Sequence, residues 1–325
     1  MRLYKNRKTC RKSRVTDTTT GEKNIRWRIQ MFEKLKANIL FTQLLKRPDI
    51  EKAYAMVPPT DTWYDTITKV HNSLKEIQEQ PHELLEITSH DNLKLKGVYY
   101  PNSNSKNVTV ICVHGYTSHA EREWAYPGLF YLSLGYNVLI PYQRAHGLSE
   151  GKYITFGALE YKDMLNWVSK INEMNPDDAI IIHGLSMGGG IALDLADKDM
   201  KNVKGIIADA PSVSIREFFE NVSRDVFKKG YEKVAACAVE RFRKEFNADV
   251  KDFECVDIVS KSKYPILLSA GSMENMEELF DTIKKTNPCS TDVIILEGCN
   301  HGNGMYKQTE LYQNAIKDFL HKIVQ

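Results

Sequence analysis

The chain has 325 residues, 42% hydrophobic and 26% charged, with a formal net charge of +2. That composition is globular and excludes a disordered, collagen-like or coiled-coil chain, and no run of 18 apolar residues marks a spanning helix. The charge is unevenly placed: residues 1–28 carry ten Lys and Arg against two Asp and Glu, net +8, so the remainder is −6 and gives no support to a nucleic-acid-binding core.

Residues 1–24 are polar and basic, lack the apolar stretch of a secretory signal, and read as a disordered arm. Two readings of this arm stand open: a solvated tail, or a weak contact with anionic membrane or RNA. Next, Ile25, Ile29, Phe32, Leu35 and Ile39 recur at spacings of three and four and predict a helix with that apolar face. Pro48, Pro58 and Pro59 break the pattern. A second helix follows, capped by Thr60 or Asp61, with Trp63, Ile67, Val70, Leu74 and Ile77 on one face, and Pro81 ends it. Residues 1–82 thus read as a basic arm and helical extension packed on the main domain.

From residue 83 the rhythm changes. Residues 83–89 and 93–101 flank an Asp91-Asn92 turn and predict an antiparallel strand pair. Apolar runs at 108–113, 137–141, 179–183, 203–208, 264–270 and 292–296 then alternate with helical stretches. Continuous rather than alternating apolar runs indicate strands buried on both faces of a mostly parallel sheet flanked by helices, an α/β architecture. Residues 212–262 interrupt the alternation with aromatic helical sequence (Phe218, Phe219, Phe227, Tyr231, Phe242, Phe246, Phe253), which predicts an inserted helical cap. The six cysteines are scattered without a C-x-x-C pair, which fits reduced thiols and a cytoplasmic location rather than disulfides or structural zinc.

Ligands of open α/β sheets bind beyond the carboxyl ends of the strands, so the chemistry is sought there. After the 179–183 run comes Gly184-Leu185-Ser186-Met187-Gly188-Gly189-Gly190, a G-x-S-x-G between a strand and a helix. Small residues two before and two after the serine permit a sharp turn that lifts its hydroxyl above the sheet. The alternative, a phosphate loop, lacks both G-x-G-x-x-G and a Walker lysine. After the 108–113 run comes His114-Gly115-Tyr116, whose Tyr116 N–H is the candidate to pair with that of Met187 as an oxyanion hole, with His114 as a loop-orienting residue. After the last run, His301 lies in a Gly-flanked loop before a C-terminal helix and is the candidate base for Ser186. The acid is the open member: Glu274 follows the penultimate strand and keeps the order Ser…Asp/Glu…His, while Asp209, after the 203–208 run, is the alternative.

From about residue 83 to the C-terminus these residues resemble the α/β-hydrolase superfamily, and most nearly its esterase-like bacterial serine hydrolases. The resemblance implies an α/β-hydrolase fold over residues 83–325, with a cap insertion at about 212–262. A loop of the form R-G-H-G-x-S-x-G is matched by Arg144-Ala145-His146-Gly147-Leu148-Ser149-Glu150-Gly151, with Ala145 in place of a glycine, and Asp163 suits the same pattern. Arg144 and His146 are expected to hold the loop. Two departures stand out: Ser272 and Glu274 replace a pair of aspartates after the penultimate strand, without the Val-Pro step that usually follows, and the first ~80 residues lie outside the shared core. The expected activity is cleavage of a carboxylic ester or related acyl bond with a hydrophobic group, suggested by the cap's aromatics, with no metal or organic cofactor. A non-catalytic binding protein on the same fold is the alternative.

Overall fold

The computed structural model describes residues 18–49, 64–212, 214–248 and 255–324. Residues 1–17 of the arm, the expected caps Thr60 and Asp61, Trp63 and Phe253 lie outside the described residues, while residues 18–24, expected to be disordered, are helical.

Eight strands form one sheet in the order β1-β2-β4-β3-β5-β6-β7-β8: β1 Glu83–Thr88, β2 Lys94–Tyr100, β3 Val108–Val113, β4 Asn137–Pro141, β5 Ala179–Leu185, β6 Val203–Asp209, β7 Ile266–Gly271 and β8 Thr291–Leu296. The first two strands pair antiparallel across a turn in which Asn92 takes φ +66°, and β2 runs antiparallel to β4. Every other neighbouring pair is parallel. Residues of β3, β4 and β7 are buried throughout, as continuous Val/Ile/Leu runs require, whereas the edge strands β1 and β8 are partly exposed. Helices cover both faces; Trp167 packs on one side of the sheet and Trp124 on the other.

The strand order sets where a site forms. After β3 the chain moves to one side to make β4 and then returns to the other side of β3 to make β5. The loops leaving β3 and β5 therefore diverge, opening a crevice at their carboxyl ends, the switch point where such sheets take ligands. Val113 pairs with Gly184, so both loops start at the same level.

The helix Thr18–Leu45 exists, but it faces the other way from its strongest apolar pattern. Phe32, Leu35 and Ile39 are 59%, 55% and 50% exposed, while Ala37, Leu40, Phe41 and Leu45 are buried. The buried set packs on the cap, into one core with Phe219 and Phe242 from its two helices, Ile215–Phe227 and Tyr231–Phe246. Arg241 lies 4.0 Å from the Phe41 ring centroid and donates to the Asn38 carbonyl at 3.0 Å. The second helix, Tyr64–Gln78, lies instead against the helix Ala120–Ser133, with Ile77 wholly buried. No helix among the described residues is long and apolar enough to cross a membrane.

Candidate active site

The G-x-S-x-G segment makes the turn its glycines allow. Ser186 sits between β5 and the helix Met187–Asp194 with φ +57° and ψ −119°, a left-handed conformation uncommon for a residue with a side chain. A Cβ on Gly184 would collide with the Gly188 carbonyl, and one on Gly188 with the Val113 carbonyl, so neither position tolerates a side chain without a backbone shift. Two backbone bonds lock the turn: the Ser186 N–H donates to the Asp209 carbonyl at 2.8 Å, and the Ser212 N–H to the Ser186 carbonyl at 2.9 Å.

Ser186, His301 and Glu274 come together although 115 and 27 residues separate them along the chain. His301 Nε2 lies 2.9 Å from Ser186 Oγ, and His301 Nδ1 lies 2.5 Å from Glu274 Oε2. Glu274 is placed by a 3-10 turn, Ser272–Glu274, directly after β7, and its Oε1 accepts the Gly271 N–H at 2.9 Å. That turn removes the need for a Val-Pro step. His301 is placed by its own loop: its N–H donates to Asn300 Oδ1, and the Asn300 N–H to Asn303 Oδ1, each at 2.8 Å. The Glu274 hydrogen bond raises the imidazole above its ordinary value despite the opposing effect of burial.

The alternative acid is engaged elsewhere. Asp209 is buried, receiving Ser269 Oγ at 2.5 Å and the Tyr312 hydroxyl at 2.9 Å, and burial pushes its carboxyl up to about 6. The same Tyr312 hydroxyl lies 3.2 Å from His183 Nε2, and Tyr131 bonds His183 Nδ1 at 2.7 Å. This chain satisfies a polar row beneath the sheet edge and leaves His301 to Glu274.

On the opposite side of Ser186 runs the loop after β3. A Cβ on Gly115 would lie 3.3 Å from Ser186 Cβ, so this backbone passes directly beside the serine. The Gly115 N–H donates to Glu123 Oε1 at 2.8 Å. His114 is buried and neutral, its Nδ1–H on the Gly115 carbonyl at 2.9 Å and its Nε2 accepting the Gln143 N–H at 3.1 Å, with burial holding it well below its ordinary range. Met187 is the first residue of its helix, so its N–H has no intrahelical acceptor.

Arg144 and His146 lie behind this layer. Arg144 makes two bonds to Asp163, at 2.7 and 2.8 Å, and two to Asp91, at 3.0 and 3.1 Å. Ala145, at the position where the resembling loop has glycine, adopts φ +61°. His90, Asp91 and Asp163 bring ligand-type atoms together, but the Arg144 guanidinium is bonded to both carboxylates.

A cavity of about 350 Å³ opens onto Ser186 and His301. Its walls include Ile67 and Val70 from the helix Tyr64–Gln78, together with Glu123, Leu185 and Tyr306. The sequence pattern places the cap's aromatics on the apolar wall; Phe219, Phe227, Phe242 and Phe246 instead pack in the core the cap shares with the N-terminal helix, and Phe218 reaches Tyr116. Helical spacing marks Ile67 and Val70 only as packing positions. Glu123 went unread because nothing in a helical register announces that a carboxylate will fold back onto Gly115. Burial pushes its carboxyl up to about 7.

The comparisons with known proteins point the same way as this geometry. Residues 104–256 match the family model described as serine aminopeptidase, S33. Over 77% of this chain and 94% of the other, the solved structure of the Pyrococcus furiosus esterase Pf2001 is 26% identical and superposes with a TM-score of 0.61. The chain has the α/β-hydrolase fold, and both likenesses support that superfamily. Among curated relatives, the uncharacterized protein YqkD of Bacillus subtilis is 26% identical over 258 residues, 77% of this chain and 83% of its own length. An α/β hydrolase of Vibrio vulnificus, 20% identical with a TM-score of 0.57, shares the fold over 81% of this chain and 87% of its own.

Proposed function

We propose that this α/β hydrolase is a serine hydrolase that cleaves a carboxylic ester or related acyl bond through an acyl-enzyme. The observation that carries the reading is the row Ser186 Oγ, His301 Nε2, His301 Nδ1, Glu274 Oε2, with successive contacts of 2.9 and 2.5 Å. His301 takes the hydroxyl proton as Ser186 Oγ bonds to the substrate carbonyl carbon, and the carbonyl oxygen becomes an oxyanion. The N–H groups of Tyr116 and Met187 receive it. His301 then returns the proton to the leaving oxygen or nitrogen as that bond breaks. In the second half a water gives its proton to His301 and attacks the acyl carbon, and Ser186 leaves with the proton. Glu274 keeps the imidazole oriented and steadies its cationic form throughout.

The apolar walls beside Ser186 favour a substrate with a hydrophobic group, and the likeness to an esterase favours an ester over an amide. The test is hydrolysis of short p-nitrophenyl esters together with labelling by a serine-directed phosphonate. Wild type is expected to do both and Ser186→Ala neither. A wild type that does neither, or equal labelling of Ser186→Ala, sinks the mechanism.

This reading places the protein in the cytoplasm, supported by the scattered, unpaired pattern of its cysteines. It also gives the basic arm a weak contact with anionic lipid, supported by the exposed apolar side chains of Phe32, Leu35 and Ile39 on the helix that follows. Co-sedimentation with phosphatidylserine vesicles at low salt checks that contact; equal sedimentation after deletion of residues 1–17 removes it.

A further inference from the structure

The N-terminal helix precedes the sheet in the chain, yet it ends on a residue of the site. The last carbonyls of a helix have no intrahelical partner. Here the Leu44 carbonyl, in the last turn of Thr18–Leu45, accepts the Tyr116 hydroxyl at 2.6 Å. The turn that follows is stitched down. The Leu45 carbonyl accepts the Ile154 N–H at 2.6 Å, the Arg47 N–H donates to the Lys152 carbonyl at 2.9 Å, and Arg47 Nη1 donates to the Ser149 carbonyl at 2.6 Å. The Tyr116 ring is also enclosed. Its centroid lies 5.0 Å from that of Phe156 and 5.5 Å from that of Phe218.

We propose that the N-terminal helix is a positioning element of the oxyanion hole, its last turn holding Tyr116 so that the backbone N–H of that residue faces Ser186. The inference rests on the serine-hydrolase reading for its catalytic consequence, but the tie itself does not. The loop after β3 is held by His114, whose Nδ1–H bonds the Gly115 carbonyl at 2.9 Å, and the tie to Leu44 adds a hold on the Tyr116 side chain. The loop leaves the sheet at Val113, turns through Thr117 at φ +51°, and has no strand partner beyond Gly115. On one side the Glu123 carboxylate anchors the Gly115 N–H. On the other, the Leu44 carbonyl anchors the Tyr116 side chain. The peptide between these two anchors is the one that must present its N–H to the oxyanion. An oxyanion donor is useful only when it is fixed before the charge develops.

Tyr116→Phe tests this directly, because it deletes the hydroxyl while keeping the ring and the backbone N–H. Two readouts separate the tie from the chemistry. In hydrogen exchange, amides of residues 115–118 are expected to exchange about tenfold faster in Tyr116→Phe, with β5 unchanged. In ester hydrolysis, kcat normalised to phosphonate-titrated Ser186 is expected to fall about tenfold, with KM within twofold and the pH midpoint unmoved. Met31→Ser, at an exposed position of the same helix, serves as the control and is expected to match wild type in both. Unchanged exchange in Tyr116→Phe overturns the proposal, whether or not the protein hydrolyses esters. Faster exchange with a wild-type kcat also overturns it, because the tie would then not serve the donor. Faster exchange in a protein whose wild type is inert toward esters and phosphonate leaves the tie in place and overturns the serine-hydrolase reading instead.

Discussion

The loops at the carboxyl edge of the sheet carry Ser186, and the N-terminal helix reaches the neighbouring loop through Tyr116, but the two regions are held by different forces. Ser186, Glu274 and His301 follow β5, β7 and β8, whose backbones are paired with their neighbours in ladders and, for β5 and β7, almost wholly buried. A ladder of backbone bonds leaves such loops little freedom at their roots. The N-terminal helix makes no ladder. It is held by one apolar face against the cap, by Arg241 across Phe41, and by the short run of bonds from Leu44 to Arg47. Chemistry placed on the sheet inherits the rigidity of the core. The cavity wall at Ile67 and Val70 and the loop after β3 touch helices whose attachment is more local.

Substitutions can break or sharpen this contrast. The largest effect is expected on the sheet side: Ser186→Ala should lower kcat by ~10⁶ while leaving Tm within a few degrees, since the lost atom makes no packing contact of consequence. Glu274→Gln keeps the shape but removes the charge that raises His301. Its kcat should fall by up to ~10⁴, as in triads whose acid becomes an amide. It should also move the pH profile in a defined direction. His301 must be neutral to accept the serine proton, so activity rises as pH passes upward through its pKa. In wild type that midpoint should lie above the ordinary imidazole value, because the hydrogen bond to the Glu274 carboxylate favours the imidazolium. In Glu274→Gln the midpoint should fall toward or below 6.5, measured as kcat/KM against pH. An unmoved midpoint would deny Glu274 its role.

On the helix side, Phe41→Ala should destabilise the cap and helix by ~3–5 kcal/mol in denaturant titrations, the cost of emptying a wholly buried phenylalanine site. The smallest effect is expected one face away. Phe32→Ser, at a residue 59% exposed, should change stability by no more than ~0.5 kcal/mol. Equal effects from the two would mean that the helix does not sit as described.

The two regions also differ in how much of them could be read from residues in order. Each sheet run announces itself by unbroken Val, Ile and Leu, because a strand covered on both faces admits little else. The glycines around Ser186 announce the turn, because side chains there would strike the neighbouring backbone. The N-terminal helix misled: Phe32, Leu35 and Ile39 make a regular apolar row, yet the buried row is Ala37, Leu40, Phe41 and Leu45. Two apolar faces on one helix cannot be ranked without the surface that covers one of them.

The amino-acid order alone determined the strand runs, the cap insertion, and the serine and histidine, since these follow from local sterics and from burial that every residue of a run shares. Tertiary structure alone decided that Glu274 rather than Asp209 meets His301, because that choice rests on where Ser269 and Tyr312 fall relative to Asp209. It alone put Ile67 and Val70 beside Ser186 and the Leu44 carbonyl on Tyr116. The Leu44–Tyr116 contact joins residues 72 apart in the chain. The geometry of these contacts comes from how helices pack on a twisted sheet, a property that no short stretch of the chain contains.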